Sequence, residues 1–395
     1  MNIQAPQARA TVRRMTSTTY SEGRRICDAD SHLMELPDWL PSYADPQIRD
    51  RIRPLYLGGA GALADDAVRK AEARQGDDVA AVALERELMT KKGWHALGAF
   101  DPAERSRALD LLGFESQLVF STFATTQFAG NDAELVAGGL RAHNRAIVDF
   151  CSDDARLVAV AQTQWTTPER AQASLEDALD LGCGAVLVPS HPGKGLSPTH
   201  PDYDRFWATL EERNVPFMLH IGGAGRVLKP AFHDNGRPTT DFLGGGENVR
   251  AKDYMVISQV PEQFLSAMVL DGVFELHPRL RGGCIEQGAM WVVPWLRRLD
   301  ICQSTFHKTE PTLKSLPMNA SDYVHRQMWF TPFPTEPIAW MTEQSGDDLF
   351  LFSSDYPHPE GTKNPIERFE STMDGMNDDE RARFYHRNYE EMMRS

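Results

Sequence analysis

The sequence predicts an α/β fold, a (β/α)8 barrel carrying inserted lid segments. Three observations lead there. Eight short β-like runs lie between residues 25 and 354, and helical stretches separate most of them. Several runs end in Asp, Glu or His, which is how strands end in barrels whose sites sit at the C-terminal face. No glycine-rich fingerprint opens a helix after the first run, which argues against the alternative, a doubly wound open sheet.

The first run, residues 25–29, leads into DADSH, and the second is 117–122 (QLVFST). The next three are 157–164, 185–189 and 216–220, and the last three are 280–286, 327–331 and 349–354. Between them, residues 132–151 carry apolar side chains at helical spacing. Residues 168–181 start a helix with Thr167 as N-cap, Pro168 at the first helical position and Glu169 in the first turn. Further helices are expected over 201–213, 261–276, 290–301, 336–344 and 378–394. Two stretches exceed a simple connection, 33–115 and the glycine-rich 222–253, and both read as lids or substrate-binding loops. The charged section 65–92 reads as a solvated helix face. Residues 1–24 are polar, lack an apolar segment of the secretory kind and are expected to form a flexible tail, leaving 25–395 as the barrel.

Composition narrows the function classes. The 395 residues carry 41 Lys and Arg against 56 Asp and Glu, a net charge of −15, and 41% are hydrophobic. That supports a sizeable core and argues against nucleic acid and anionic lipid as partners, since both require a basic face. No apolar run is long enough to span a membrane. Five scattered cysteines without a CxxC make a disulfide framework improbable and point to a reducing cytoplasmic setting.

Chemistry is concentrated at the ends of the runs. Alternation along the first strand would put Asp28, Asp30 and His32 on one face, the barrel interior. Two carboxylates and an imidazole cannot sit together dry, and a divalent cation resolves the conflict. The plainer reading is an Asp-rich turn with a surface histidine. The fifth run ends in His220 and the eighth in Asp355, with His358 three residues beyond. Asp30, His32, His220 and Asp355 would then surround one point on the barrel axis, and mixed N/O ligation of this kind suits Zn, Mn or Fe. Glu286, ending the sixth run, could be a further ligand, a general base or the group orienting a metal-bound histidine. His191, after the fourth run, could reach substrate or act on a proton, or be an idle loop residue. Gln162, Gln164 and Trp165 could wall the pocket, and Trp94 and His95 could cover it. For the tryptophans, the competing reading is core packing.

Taken together, DADSHLME, the run NRAIVDFCSDDARLVAVAQTQW, GAVLVPSHPG, PDYDRFWATLEERNVPFMLHIGG and SSDYPHPEG resemble the amidohydrolase-related family. The resemblance is to the branch of the amidohydrolase superfamily holding aminocarboxymuconate semialdehyde decarboxylase and the γ-resorcylate-type decarboxylases. It spans residues 26 to the C-terminus and implies a (β/α)8 barrel with one divalent metal. It places the first-strand ligand pair on Asp30 and His32, the strand-five histidine on His220 and the strand-eight aspartate on Asp355. It also makes a homodimer plausible. Two departures stand out. Glu286 in CIEQG occupies the position where the decarboxylases carry an acid/base histidine. Val188, Pro189 and Ser190 stand where binuclear members carry a carboxylated lysine, with Lys194 well beyond the tip.

The expected function is therefore metal-dependent hydrolysis or non-oxidative decarboxylation of a small organic acid or acyl compound. Asp355, Glu286 and His191 would handle protons, and Trp94, His95, Trp165 and His358 would contact substrate. Asp28, Glu286 and His358 exceed the needs of one ion. They motivate a second expectation, a site of one or two irons acting as a hydroxylase. A third is a ligand-binding relative that has lost catalysis.

Overall fold

The computed structural model describes residues 19–57, 60–191, 195–222, 228–238 and 250–394. Seven parallel strands follow one another around a curled sheet in chain order. They are β1 (Cys27–Leu33), β2 (Ser116–Ser121), β3 (Leu157–Gln162), β4 (Ala185–Leu187), β5 (Phe217–His220), β6 (Gly282–Ile285) and β7 (Met328–Phe330). The eighth expected strand is a hydrogen-bonded extended segment that closes the ring. Leu351 N donates to Phe330 O (2.9 Å) on one side, and Ala29 N donates to Phe352 O (3.0 Å) on the other. It forms only isolated bridges, and two of its donors are engaged outside the ladder. Phe352 N donates to Phe384 O (3.0 Å), and Ser354 N donates to the Asp28 carboxylate (2.8 Å). The fold is the (β/α)8 barrel.

Side-chain alternation divides the wall in two. Leu118, Phe120, Val160, Met218, Ile285 and Trp329 fill the barrel interior, and Tyr389 and Met392 belong to the same cluster. Neighbouring positions, such as Val119, Ala161, Phe217, Leu219 and Phe330, face the helices in the main core. Two of the long helices open on caps that the sequence supplies. Thr167 accepts from Arg170 N and opens Pro168–Asp180. Asp132 accepts from Glu134 N and Leu135 N and opens Ala133–Cys151. The C-terminal helix is broken into Asp378–Ala382, a π-helical turn at Arg383–Arg387 and Asn388–Met392.

Three expectations change. Thr19–Arg24 is not loose, since Tyr20 N and Ser21 N each donate at 2.9 Å to the carbonyls of Leu111 and Leu112. Residues 1–18 of the expected tail lie outside the described residues, as do 223–227 and 239–249 of the second insertion and Lys194. The first insertion is largely helical, with Gly61–Arg74, Asp78–Glu85 and Pro102–Leu112, and the last of these packs against the barrel. The third change is in β1. Its register with β2 slips by one residue between Asp28 and Ser31, a β-bulge, so the expected sharing of one face by residues 28, 30 and 32 does not hold. Cys27 and Ala29 point inward below the bulge, and it re-aims Asp30 and His32 inward above it. Asp28 is left facing outward, where Gln117 Nε2 (2.8 Å) and Ser354 Oγ (2.6 Å) bind its carboxylate.

Candidate metal centre

The strand tips converge. His32 Nε2 lies 3.2 Å from Asp30 Oδ1 and 3.5 Å from Asp355 Oδ1. His220 Nε2 lies 3.5 Å from Asp30 Oδ1 and 3.4 Å from Glu286 Oε2. His358 Nδ1 lies 3.0 Å from Asp355 Oδ1, and its ring stacks on His32 with centroids 3.7 Å apart. Ligand atoms of Asp30, His32, His220 and Glu286 all lie within 4.8 Å of one another, as do those of His32, Asp355 and His358. The tightest group of four thus contains Glu286 rather than Asp355, which joins through His32.

Backbone contacts fix what each imidazole presents. His32 Nδ1 is 3.2 Å from Ser121 O, and His220 Nδ1 is 3.0 Å from Ile221 O. A carbonyl only accepts, so both Nδ1 atoms carry the hydrogen and both Nε2 lone pairs face the cluster. Burial, with the neighbouring His358, holds His32 down to about 4, which keeps the ring neutral. Burial also opposes charge on His358, and the Asp355 carboxylate more than offsets this, so its pKa is raised.

This donor set fits a divalent ion. Asp30 Oδ1, His32 Nε2, His220 Nε2 and Asp355 Oδ1 are buried and have no hydrogen-bond partner. Leaving such atoms bare costs about 1–3 kcal/mol each, and more when charged. Donors about 2.1 Å from a shared tetrahedral centre stand about 3.4 Å apart, close to the 3.2 Å between His32 and Asp30 and the 3.5 Å that separates Asp30 from His220 and His32 from Asp355. Two tips also hold non-glycine residues in the left-handed region, Glu286 at φ 56° and Asp355 at φ 51°. Thr331 Oγ1 accepts from Glu286 N (2.8 Å), and Asp355 N donates to Asp30 O (2.9 Å).

Other expected site residues have different surroundings. Trp94 is buried, donates from its indole to Glu35 O (3.1 Å) and stacks on Phe123. His95 reaches Asp66 at 2.9 Å. Both are committed to the fold rather than laid over an open pocket. Trp165 packs with Tyr203, Phe206 and Trp207 in the outer core, so the packing reading holds for it. Gln162 bonds Ser121 and Thr125. His191 is exposed. Asp28, satisfied by its own hydrogen bonds, is not in the donor cluster.

Several neighbours were not anticipated. Glu35, fully buried, accepts from the backbone of Thr122, Phe123 and Ala124, and burial raises its pKa against those bonds. Arg105 is buried and donates to the carbonyls of Gly98 and His32. Glu35 stands in the same motif as Asp30 and His32, three residues past the histidine, and that proximity was the available signal. Arg105 lies in a stretch that reads as an ordinary charged helix.

A barrel of parallel strands with acids and imidazoles gathered at the C-terminal tips is the architecture of a barrel enzyme. The amidohydrolase family model matches residues 27–393, and the chain belongs to that family. It falls in the branch that holds the γ-resorcylate-type decarboxylases. The γ-resorcylate decarboxylase of Rhizobium radiobacter is 23% identical over 264 residues, 64% of this chain and 76% of that protein. Among solved structures, an amidohydrolase from Mycobacterium avium subsp. paratuberculosis superposes with a TM-score of 0.71 at 20% identity, covering 94% of this chain and 99% of that one. A 5-carboxyvanillate decarboxylase from Novosphingobium aromaticivorans, complexed with manganese and 4-hydroxy-3-methoxy-5-nitrobenzoic acid, gives 0.62 at 16% identity, covering 96% and 98%. At these identities the likeness is one of fold. No helix among the described residues is long and apolar enough to cross a membrane.

Proposed function

We propose that Asp30, His32, His220 and Asp355 hold a divalent metal ion, with Glu286 at its edge, and that the site transforms a small organic acid by decarboxylation or hydrolysis. The observation that carries this is the set of four buried donor atoms at the strand tips without partners. The manganese in the Novosphingobium aromaticivorans decarboxylase favours Mn, with Zn and Fe as the other ions this donor set suits. Such an ion, when bound, polarises a substrate oxygen or lowers the pKa of a water. The chain's own residues supply the rest. Asp355 and Glu286 are acceptors for a proton from water or substrate, and His358, held by Asp355, is the nearby group able to return one. An aromatic carboxylate is the favoured substrate class, because the decarboxylases among the relatives act on such acids. His191 could contact substrate from the fourth tip.

The test is elemental analysis of purified protein with a metal-dependent assay on a panel of aromatic and acyl carboxylates. We expect about one ion per chain, lost in His220→Ala. Evolved carbon dioxide marks decarboxylation, and a freed acid and alcohol, amine or thiol marks hydrolysis. Full metal content in His220→Ala refutes the site.

One observation favours a second reading. Glu286, His220, Asp30, His32, Asp355 and His358 form a continuous chain of donors, more than one ion takes. A second ion on Asp355 and His358 would make a two-metal centre, and with iron it would suit oxygen chemistry. Two ions per chain together with substrate-dependent oxygen uptake would establish it. One ion and no uptake would dismiss it.

A further inference from the structure

Glu35 and Thr122 lie outside the donor cluster, yet their hydrogen bonds form one path into it. The Glu35 carboxylate is fully buried and accepts three backbone N–H groups of the turn after β2, from Thr122 (2.8 Å), Phe123 (3.0 Å) and Ala124 (3.3 Å). That turn is thereby fixed against the end of β1. The Thr122 hydroxyl has one hydrogen and donates it to Leu33 O at 2.8 Å. Its contact with His358 Nε2, at 2.9 Å, must then run the other way, with the imidazole donating.

The consequence falls on the opposite nitrogen. His32 and His220 present Nε2 to the cluster, because a carbonyl holds each Nδ1–H. His358 is reversed, with Nε2–H tied to Thr122 and Nδ1 facing Asp355 Oδ1 at 3.0 Å. We infer that Thr122, braced by Glu35, is a positioning residue that sets which ring nitrogen of His358 faces the donor cluster. Without it the ring, stacked on His32, keeps its plane but loses the contact that selects its orientation.

The inference rests on the proposed metal site only for its effect on metal affinity; the ring's own state is read separately. Imidazole nitrogen NMR of the metal-free wild type should show His358 with hydrogen on Nε2 and slow solvent exchange there. In Thr122→Val that exchange should quicken and the nitrogen pattern change, and Thr122→Ser should restore both. Titration with Zn2+ alone should show Thr122→Val binding up to about 10-fold more weakly, the low end of the loss for removing a ligand's own partner because Thr122 reaches the ligand Asp355 only through His358, with Thr122→Ser recovering most of it. A bare Nε2 in the wild type, or an unchanged His358 pattern in Thr122→Val, overturns the inference. Should the valine variant not fold, Thr122→Ala is read the same way, and the wild-type spectrum decides regardless. A wild type that binds neither Zn2+ nor Mn2+ refutes the metal-site reading while leaving the NMR result to judge Thr122.

Discussion

Asp30→Asn should reverse the order of stability depending on whether metal is present. Asp30 is 1% exposed and its Oδ1 has no partner, while His32 Nε2, 3.2 Å away, presents a lone pair. A carboxylate oxygen and a lone pair cannot bond each other. An asparagine amide placed at Oδ1 can donate to His32 Nε2, relieving two bare atoms with one hydrogen bond. At about 1–3 kcal/mol per unsatisfied buried atom, and allowing for imperfect geometry, the gain is about 2 kcal/mol. With 395 residues and about 2.1 cal/mol/K of unfolding entropy per residue, about 0.8 kcal/mol corresponds to one degree. The metal-free variant should therefore melt about 2–3 °C above wild type. With an ion at a thousand times its dissociation constant, wild type gains about 4 kcal/mol, about 5 °C, which a neutral amide ligand would largely forfeit. Scanning calorimetry with chelator, and again with saturating Mn2+ or Zn2+, should show the two curves exchange order. A variant that melts lower in both conditions, or a wild type that no divalent ion shifts, would refute the reasoning.

Three further outcomes follow from the framework around the site. A Cβ at Gly282 would stand 2.4 Å from the Phe217 ring on the paired strand, so Gly282→Ala should cost about 1–3 kcal/mol of stability, measured by denaturant unfolding. Phe352 is fully buried against Phe114, Phe369 and Phe384 in the segment that closes the barrel, and Phe352→Ala should cost about 3–5 kcal/mol by the same measurement. The Arg156 guanidinium holds Asp154 down to about 2. That pair contributes on the order of 2 kcal/mol above the unfolded pKa of about 3.9 and loses it as pH falls toward 2. The stability gap between wild type and Asp154→Asn should accordingly close over that acid window, and a gap independent of pH would contradict the assignment.

What the sequence makes legible here follows from which signals are local. Hydrophobic runs and caps locate strands and helices, because β5 with its terminal His220 and the helix after Thr167 are each specified by contiguous residues. The tips carrying Asp30, His32, His220, Glu286 and Asp355 are legible for the same reason: a charged or imidazole side chain at the end of a buried apolar run is costly unless it is paired or bound to a metal. Bulges are not legible. Strict alternation assigns Asp28 to the interior, and only the slipped register against β2 shows that one extra residue turns it outward. Long-range partners are hidden as well. Thr122 meets His358 across 236 positions, and nothing around either residue announces the other. Aromatic residues in loops are ambiguous for a third reason, since packing and ligand contact demand the same chemistry; Trp94 and Trp165 turned out to be packed.

The bulge also explains how one strand serves two purposes. Below it, Asp28 ties the barrel's closing segment to β1 through Ser354 N and Oγ. Above it, Asp30 and His32 face the interior, while Asp30 O receives Asp355 N from that same closing segment. Closure of the barrel and placement of Asp355 are thus one structural event. Asp355 and Glu286, both in left-handed backbone, stand directly after the closing segment and β6. Such conformations cost about 1–3 kcal/mol apiece for residues other than glycine. Together with four bare donor atoms, they concentrate destabilising features within one small volume of an otherwise well-packed barrel. Packing alone would favour glycine or asparagine at both tips. The proposed metal site would account for acids standing there instead.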